Sequence, residues 1–295
     1  MPVYRQTYSH YEGHYLPRSL AWTLIARRGI LHAWRKKWFR LVLIACLFPF
    51  LVMVMRFYLA ANLDVLNYFG LDPRSVRDIL DIDLSFYYKF LIMQSFACFL
   101  MAILTGSDLI SSDRRTKALT LYLSKPITRL DYLFGKASIA LFFLYLVQMI
   151  PCLTLVFLYA FFNEDWGYLT QNIQLIFRII LLSHIYVIPL TALILAISSM
   201  TLSRVTSTVM FCVVFFVPET FVNILRALMD ESWMNPDYFT LFSLGRILEQ
   251  LSPIVFKQET PFAVHWIWYA LALSVVVALC GLILNKQIRA VDVVN

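Results

Sequence analysis

The chain has 295 residues, of which 60% are hydrophobic and 16% aromatic, and its mean hydropathy is +0.71. Soluble globular domains are closer to half apolar, so this composition excludes an ordinary soluble protein and predicts an integral membrane protein. The formal net charge is +7. A basic excess of this kind needs no nucleic-acid partner if the positive residues collect on one side of a membrane.

Residues 1–40 form a basic and aromatic segment with eight Lys or Arg and a single acid, Glu12. The segment lacks the early apolar run and small-residue cleavage site of a secretory signal. As a helix, residues 20–39 would gather apolar side chains on one side and basic ones on another, with Arg27 as the exception. The apolar side would carry Leu20, Leu24, Leu31, Trp34 and Trp38, and the basic side Arg28, His32, Arg35 and Lys36. We therefore predict an amphipathic helix at the inner interface, which either binds anionic lipid only or serves as an elbow helix beside an ATPase.

Six apolar runs are long enough to cross a hydrocarbon core, which takes about twenty helical residues. They cover residues 41–60, 85–105, 137–161, 173–199, 205–225 and 262–284. Six crossings put both ends of the chain on one side. Assigning the ends to the cytoplasm gives the inner segments about seventeen Lys or Arg against about five acids, and leaves about eight basic and about thirteen acidic residues elsewhere. The sequence therefore predicts an all-α membrane protein with a cytoplasmic segment 1–40, a six-span domain 41–284 and a cytoplasmic tail 285–295.

The outer segment between the fifth and sixth spans, residues 226–261, is long for a simple connection. Within it, apolar residues recur every three or four positions over 238–251, interrupted by Gly245 and Arg246 and stopped by Pro253. The stretch is about half the length of a crossing. We predict a short re-entrant or interfacial helix there.

Three ionisable residues fall inside predicted spans, where charge is costly: Arg178, His184 and Glu219. At 1.5 Å per residue, Arg178 and Glu219 each lie roughly 8–10 Å below the outer boundary, so they could pair. Such a pair would either neutralise two buried charges and set helix register, or line or gate an outward exit. His184 lies deeper, where a neutral imidazole hydrogen-bonded to a neighbouring helix is favoured over a proton relay.

No cofactor or metal site is evident in the sequence. The five cysteines lie inside apolar runs without a C-x-x-C pair or histidine at ligand spacing, so we interpret them as small packing residues. The chain contains no G-x-x-x-x-G-K-[ST] phosphate-binding loop, no H-E-x-x-H and no G-x-S-x-G motif. Any ATP that drives this protein is therefore expected to be hydrolysed by another subunit.

The longest inner connection, residues 107–136, carries six basic residues between two apolar runs. It combines an acidic-basic cluster, alternating leucines and a late group of Pro, Arg, Gly and Lys. The residues are Asp113, Arg114, Arg115, Leu119, Leu121, Leu123, Pro126, Arg129, Gly135 and Lys136. With the six-span layout, this pattern resembles the ABC-2 type transporter permeases, the membrane subunits of ABC exporters. Lys117 and Ala118 stand where that family often has Gly and Thr.

This resemblance implies an exporter subunit without a nucleotide site of its own, coupled through the 107–136 loop to a separate ATPase. The residues that it assigns to the ATPase contact are Asp113, Arg114, Arg115, Lys117, Leu119, Pro126 and Arg129. It also implies two ATPase copies, a second permease that is identical or related, surrounding membrane lipids and no nucleic acid. A weaker similarity of residues 8–30 to bacterial permeases implies a bacterial inner membrane.

Two other functions stay open at this point. One is a membrane-integral enzyme whose active site uses His184, Arg178 or Glu219. The other is a non-transporting membrane anchor that recruits a soluble partner through the same basic surfaces. Catalytic turnover by the isolated chain would favour the enzyme, and co-purification with a P-loop ATPase would favour the permease.

Overall fold

The computed structural model describes residues 21–62, 83–118, 127–228 and 236–289, and the regular elements in these ranges are all helical. In chain order they are α1 (Ala21–Arg35), α2 (Lys37–Ala61), α3 (Leu84–Gly106), α4 (Ser111–Arg115), α5 (Arg129–Phe162), α6 (Gly167–Gln171), α7 (Ile173–Met200), α8 (Arg204–Leu228), a 3₁₀ helix (Pro236–Phe242), α9 (Leu244–Phe256) and α10 (Trp266–Arg289). Within these ranges, α2, α3, α5, α7, α8 and α10 are long and apolar enough to cross a membrane. This confirms the predicted all-α fold with six spans.

Helices α3, α5 and α7 form the centre of the bundle, and α2, α8 and α10 surround them. In the most apolar stretch of each helix, 61%, 44% and 67% of the residues are buried in α3, α5 and α7. The corresponding shares are 17%, 11% and 11% in α2, α8 and α10. Because lipid tails are as apolar as leucine, the surrounding helices can leave large apolar side chains exposed without cost.

Two buried glutamines join α2, α3 and α5 inside the apolar layer. Gln94 of α3 donates through Nε2 to the Cys46 carbonyl of α2 at 2.8 Å, and Gln148 of α5 donates to the Leu91 carbonyl of α3 at 3.0 Å. Both side chains are fully buried. Because an amide without a partner is costly in an apolar medium, these bonds favour one axial register among α2, α3 and α5.

Side-chain caps set where two of the spanning helices begin. Asp83 accepts a hydrogen bond of 2.9 Å from the backbone N–H three residues further on and starts α3. At α5, Thr128 Oγ1 accepts from the Asp131 N–H at 3.1 Å, and Asp131 Oδ2 accepts from the Thr128 N–H at 3.0 Å. This capping box satisfies N–H groups that a helix start leaves free, so α5 begins at Arg129, eight residues before the predicted span 137–161.

Helix α1 packs against the first turns of α5 through glycine. A Cβ atom on Gly29 would lie 2.0 Å from Ile139 Cδ1, and one on Gly135 would lie 2.8 Å from Ile25 Cβ. Ala26, three residues before Gly29, is also buried. Small residues on both helices therefore permit a close approach that larger side chains would prevent.

The predicted amphipathic helix 20–39 is two helices, because the chain leaves helical geometry at Lys36 (φ −76°, ψ 119°) and turns into α2. Leu20 lies outside the described residues. The other apolar side chains of the prediction are exposed, and they are Leu24, Leu31, Trp34 and Trp38. The sequence pattern identified these apolar and basic sides, and the structure adds a third side of small residues that faces α5.

The predicted helix over 238–251 occurs in two pieces, the 3₁₀ helix and α9. The break is at Ser243, whose hydroxyl caps α9, and Gly245 lies within that helix. We had predicted that Pro253 would end this helix, but Pro253 lies inside α9, which continues to Phe256. The helix instead ends where Lys257 adopts a left-handed conformation (φ 56°).

Helix α9 is inserted among the spanning helices by polar contacts from its buried side. Gln250 Nε2 donates to the Phe262 carbonyl at 3.0 Å, and Gln250 Oε1 accepts from the Phe262 N–H at 3.0 Å. Ser252 Oγ lies 3.0 Å from the hydroxyl of Tyr186, near the middle of α7. The chain between α9 and α10 bends at residues 261–264, and α10 begins at Trp266, within the predicted span 262–284.

Candidate functional site

The candidate site is the α4 corner, which we define as residues 107–118 with the adjoining ends of α5 and α7. Ser198 of α7 is fully buried here. Its Oγ accepts hydrogen bonds from the N–H groups of Ile110 and Ser111, both at 3.1 Å, and donates to the Ser107 carbonyl at 3.1 Å. A hydroxyl offers one donor and two acceptor lone pairs, so all three are used. This one side chain fastens the start of α4 to α7.

A second contact joins α4 to α5. Asp113 Oδ2 lies 2.7 Å from Lys136 Nζ and also accepts a hydrogen bond of 2.7 Å from the Tyr132 hydroxyl. The side chains of Lys136 and Asp113 are only 11% and 13% exposed. Tyr132 and Lys136 are four residues apart on α5 and so present both groups to the same point. Charge-assisted bonds shielded from water are stronger than exposed ones, so this ion pair is a specific link between the two helices.

Arg114 provides a third contact, at the end of α7. Its Nη1 donates to the backbone carbonyl of Ser199. The last carbonyls of a helix have no partner within the helix and carry partial negative charge, so a guanidinium group both satisfies and complements them. Through Ser198 and Arg114, α4 is tied to α7 from two directions.

Two charged residues at the end of α4, Arg115 and Lys117, are on the surface. Arg115 and Lys117 are exposed, and Lys117 adopts a left-handed conformation (φ 54°) just after the helix. Leu119 and Pro126, two of the predicted contact residues, lie outside the described residues. Arg129 is the first residue of α5 and is half-buried.

The predicted contact residues therefore fall into two groups. Asp113 and Arg114 direct their charged groups into the chain itself, whereas Arg115 and Lys117 face outward. Sequence reasoning missed the roles of Ser198 and Tyr132. The four-residue spacing of Tyr132 and Lys136 indicates that both side chains lie on the same side of a helix. Nothing in the sequence, however, identified Asp113 as the residue that both of them contact.

At the opposite end of the bundle, Glu219 of α8 pairs with α9. Its Oε1 lies 3.6 Å from Arg246 Nη2, and Arg246 Nη1 lies 2.5 Å from Glu249 Oε2. A Cβ on Gly245 would lie 3.0 Å from Glu219 Oε2, so glycine leaves space for this carboxylate. Among the described residues, Glu219 forms its ion pair with Arg246, and the possible pairing with Arg178 is not formed.

His184 bonds to its own helix. Its Nδ1 lies 2.7 Å from the Ile180 carbonyl of α7, and since a carbonyl only accepts, Nδ1 carries a proton. The imidazole ring also contacts Tyr145 of α5, with ring centroids 5.1 Å apart. We had predicted a hydrogen bond from His184 to a neighbouring helix, and this prediction was wrong. The contact that His184 makes with α5 is instead the packing of its ring against Tyr145.

The described ranges contain no group of three or more His, Cys, Asp or Glu side chains that could hold a metal ion. At the α4 corner, the polar side chains of Ser198, Asp113 and Arg114 bind other parts of the same chain and so join α4 to α5 and α7. The fold and the α4 corner thus define a multi-pass membrane protein with a short helix fastened to one end of its bundle.

The family assignment rests on comparison of the whole chain. The sequence profile of the family described as ABC-2 family transporter protein matches residues 24–283, from α1 into α10. The chain belongs to this family and is a permease of an ABC transporter, which confirms the resemblance seen in the sequence. Membership makes it the membrane subunit of a transporter rather than a catalytic subunit, and implies an ABC ATPase as partner. A comparison with curated proteins finds no match.

Proposed function

We propose that the chain is one half of an ATP-driven exporter, that its α4 end faces the cytoplasm and that an ATPase subunit binds there. The observation that carries the proposal is the α4 corner, in which a helix of five residues is tied by side chains to α5 and α7 while Arg115 and Lys117 face outward. The excess of Lys and Arg in the segments at this end supports the cytoplasmic assignment.

The contacts of α4 supply a route for movement. A force applied to the exposed side of α4 reaches α5 through Asp113 and Lys136, and reaches α7 through Ser198 and Arg114. Both helices belong to the buried centre of the bundle. Closure of two ATPases on ATP would therefore displace the central helices relative to α2, α8 and α10, and change the side to which a path opens.

The complete transporter would contain two such chains, either identical or paired with a related permease, and two ATPases. It would lie in the inner membrane of a bacterium, with both ends of the chain in the cytoplasm. Helix α1, with exposed apolar and basic sides beside α5, would lie in the inner interface as an elbow helix.

Cysteine labelling in intact cells tests the orientation. Thr116→Cys places a thiol at the exposed end of α4, and Thr260→Cys places one at the opposite end of the bundle. Four native cysteines are buried and Cys212 is half-buried, so background labelling should be low. An impermeant maleimide should label Thr260→Cys in intact cells and label Thr116→Cys only in inverted vesicles. The reverse pattern would overturn the assignment.

Charge reversal tests the ATPase contact. Arg115→Glu changes an exposed residue that makes none of the contacts holding α4 in place, so folding should be preserved. If Arg115 faces the ATPase, loss of about 1.4 kcal/mol would weaken co-purification of that subunit about tenfold. Lys257→Glu, an equal charge reversal at the opposite end, should have no effect. Retention of the ATPase by both variants to the wild-type level would contradict this part of the proposal.

A further inference from the structure

The chain from α3 into α4 follows a helical course with an interruption. Before and after it, backbone N–H groups bond to the carbonyl four residues earlier, at 3.2 Å for the Ser107 N–H and at 3.0 Å for the Arg114 N–H. At the interruption, the N–H groups of Ile110 and Ser111 donate to the hydroxyl of Ser198 on α7, both at 3.1 Å. A side chain of α7 is thus inserted into the hydrogen-bond ladder that joins α3 to α4.

The inserted hydroxyl stands in the place of a helical hydrogen bond. In a continuous α-helix, the Ser111 N–H would donate to the Ser107 carbonyl. Here Ser198 Oγ accepts from that N–H and donates to that carbonyl, each at 3.1 Å. Insertion of a side chain into this ladder is one of the few causes of a sharp change in helix direction. The break between α3 and α4 therefore depends on a group that belongs to α7.

A glycine lets α7 come close enough for this insertion. A Cβ on Gly106 would lie 2.5 Å from Ile194 Cγ2 and 3.1 Å from Ile194 Cβ. Ile194 precedes Ser198 by four residues and so lies on the same side of α7. Ser198 itself is fully buried. The insertion is therefore held by the packing of α7 on α3.

The groups that Ser198 joins have other partners within reach. The Ser111 N–H can donate directly to the Ser107 carbonyl, and the backbone at Ser107 and Ile110 is already right-handed helical. The Ser198 hydroxyl can donate to the Ile194 carbonyl of its own helix, as another buried serine of α7 does to the carbonyl four residues before it. A change of partners would thus leave these buried groups paired, which is the condition for an exchange of low cost.

We infer that residues 107–111 are a two-state hinge and that Ser198 is the positioning residue that sets its state. In the state seen in the structure, Ser198 is inserted and α4 is separate from α3. In the second state, Ser198 bonds to its own helix, and α3 and α4 form one continuous helix. The role of this hinge in transport rests on the proposed function, since an ATPase that binds α4 would move it from one state to the other.

Spin-label distances in the purified full chain in detergent test the hinge without an ATPase. Labels at Phe96→Cys on α3 and Thr116→Cys after α4 lie on either side of the hinge, and both positions are exposed. Cys212→Ala in every variant removes the half-buried native thiol, and the other four cysteines are buried. The distance between the two labels then reports the position of α4 relative to α3.

Ser198→Ala removes the inserted hydroxyl, and should give a second distance as narrow as that of the wild type. The shift should be about 2 Å or more, because a direct bond of about 2.9 Å replaces a path through a third atom. Ser198→Thr keeps the hydroxyl and should retain the wild-type distance. Ser183→Ala is the matched control, since it removes a buried hydroxyl of α7 that bonds to the Ile179 carbonyl, and should have no effect.

A contact that merely anchors α4 gives a different result. Removal of Ser198 would then free α4, and the distances would broaden around the wild-type value without a new maximum. That result, or an unchanged distance, would overturn the inference. Arg114→Gln is a second variant, because it loosens α4 from the Ser199 carbonyl and leaves the hydroxyl in place. It should populate both distances in one sample, and if Ser198→Ala does not fold, a single wild-type distance in Arg114→Gln would count against the hinge.

Reconstitution with the ATPase subunit separates the hinge from the proposed function. A non-hydrolysable ATP analogue should move the wild-type chain to the distance found in Ser198→Ala. If Ser198→Ala shows the second distance but the analogue leaves the wild type unmoved, the hinge stands and the proposed coupling through α4 fails.

Discussion

The two ends of the bundle each use an ion pair to attach a short helix, but the pairs differ in burial. At the α4 corner, Asp113 and Lys136 are 2.7 Å apart and little exposed. At the opposite end, Arg246 lies 3.6 Å from Glu219, with side-chain exposures of 18% and 30%, and shares its charge with the more exposed Glu249. The first pair is a single specific contact, and the second is a set of contacts that water can replace.

The difference follows from the sizes of the two helices. Helix α4 has five residues and too little apolar surface to hold itself in place, so its position depends on polar contacts. Helix α9 has thirteen residues and buries Ile247, Leu248 and Phe256, so its polar contacts can be weak. The comparison indicates that α4 is held to α5 and α7 by a few strong and directional bonds. If α4 transmits movement to these helices, it does so through those bonds.

The largest effect is expected from removing the cation at the α4 corner. Lys136→Met leaves the Asp113 carboxylate buried without a counter-charge, which typically costs about 3–5 kcal/mol. The free energy of unfolding, measured by denaturation of the purified chain in detergent micelles, should fall by that amount.

Removing both charges provides the control for this effect. Asp113→Asn combined with Lys136→Met leaves no unpaired charge and should recover most of the lost stability. If Lys136→Met alone were as stable as the wild type, the Asp113–Lys136 pair would be solvated. The two ends of the bundle would then not differ in the burial of their ion pairs.

A smaller effect is expected where α1 crosses α5, next to Lys136. Gly135→Ala would place a Cβ 2.8 Å from Ile25 Cβ and 3.0 Å from the Trp22 backbone carbonyl, and overpacking of this kind costs about 1–3 kcal/mol. Gly281→Ala is the matched control, since nothing lies within 4 Å of its added Cβ. The control should be neutral or stabilising by up to about 1 kcal/mol, because alanine favours helix. Equal unfolding temperatures for the two variants would exclude the close crossing.

The smallest effect is expected at the end opposite α4. Glu219→Gln removes one member of a partly exposed pair, and the free energy of unfolding should change by about 0–1 kcal/mol. A double-mutant cycle with Arg246→Gln should give a coupling energy well below that measured between Asp113 and Lys136. A coupling of equal size at both ends would show that exposure does not distinguish them.

Much of the architecture could be predicted from sequence because it depends on local composition. Each apolar run of about twenty residues favours the membrane by its own transfer free energy, whatever its neighbours are. The six spanning helices followed from this, and the short helix before the last span followed from apolar residues that recur every three or four positions. The first residue of α5 did not follow from composition, because the capping box of Thr128 and Asp131 sets it.

The candidate site was only partly predictable. Residues 107–136 could be singled out by charge and by resemblance, but the pattern assigned Asp113 and Arg114 to a partner surface. In the structure their charged groups contact Lys136 and the end of α7. These partners are distant in sequence, and a charged residue in a loop looks the same whether it faces inward or outward.

The sequence by itself determined that the chain enters a membrane, crosses it six times as helices and belongs with the ABC-2 permeases, because these properties add up from residue to residue. Only the tertiary structure decided that Glu219 pairs with Arg246 instead of Arg178, that glycines set the crossing of α1 on α5, and that Asp113 lies against Lys136. The physical reason is that such contacts depend on the rotation and depth of each helix relative to its neighbours, and packing of the whole bundle selects both.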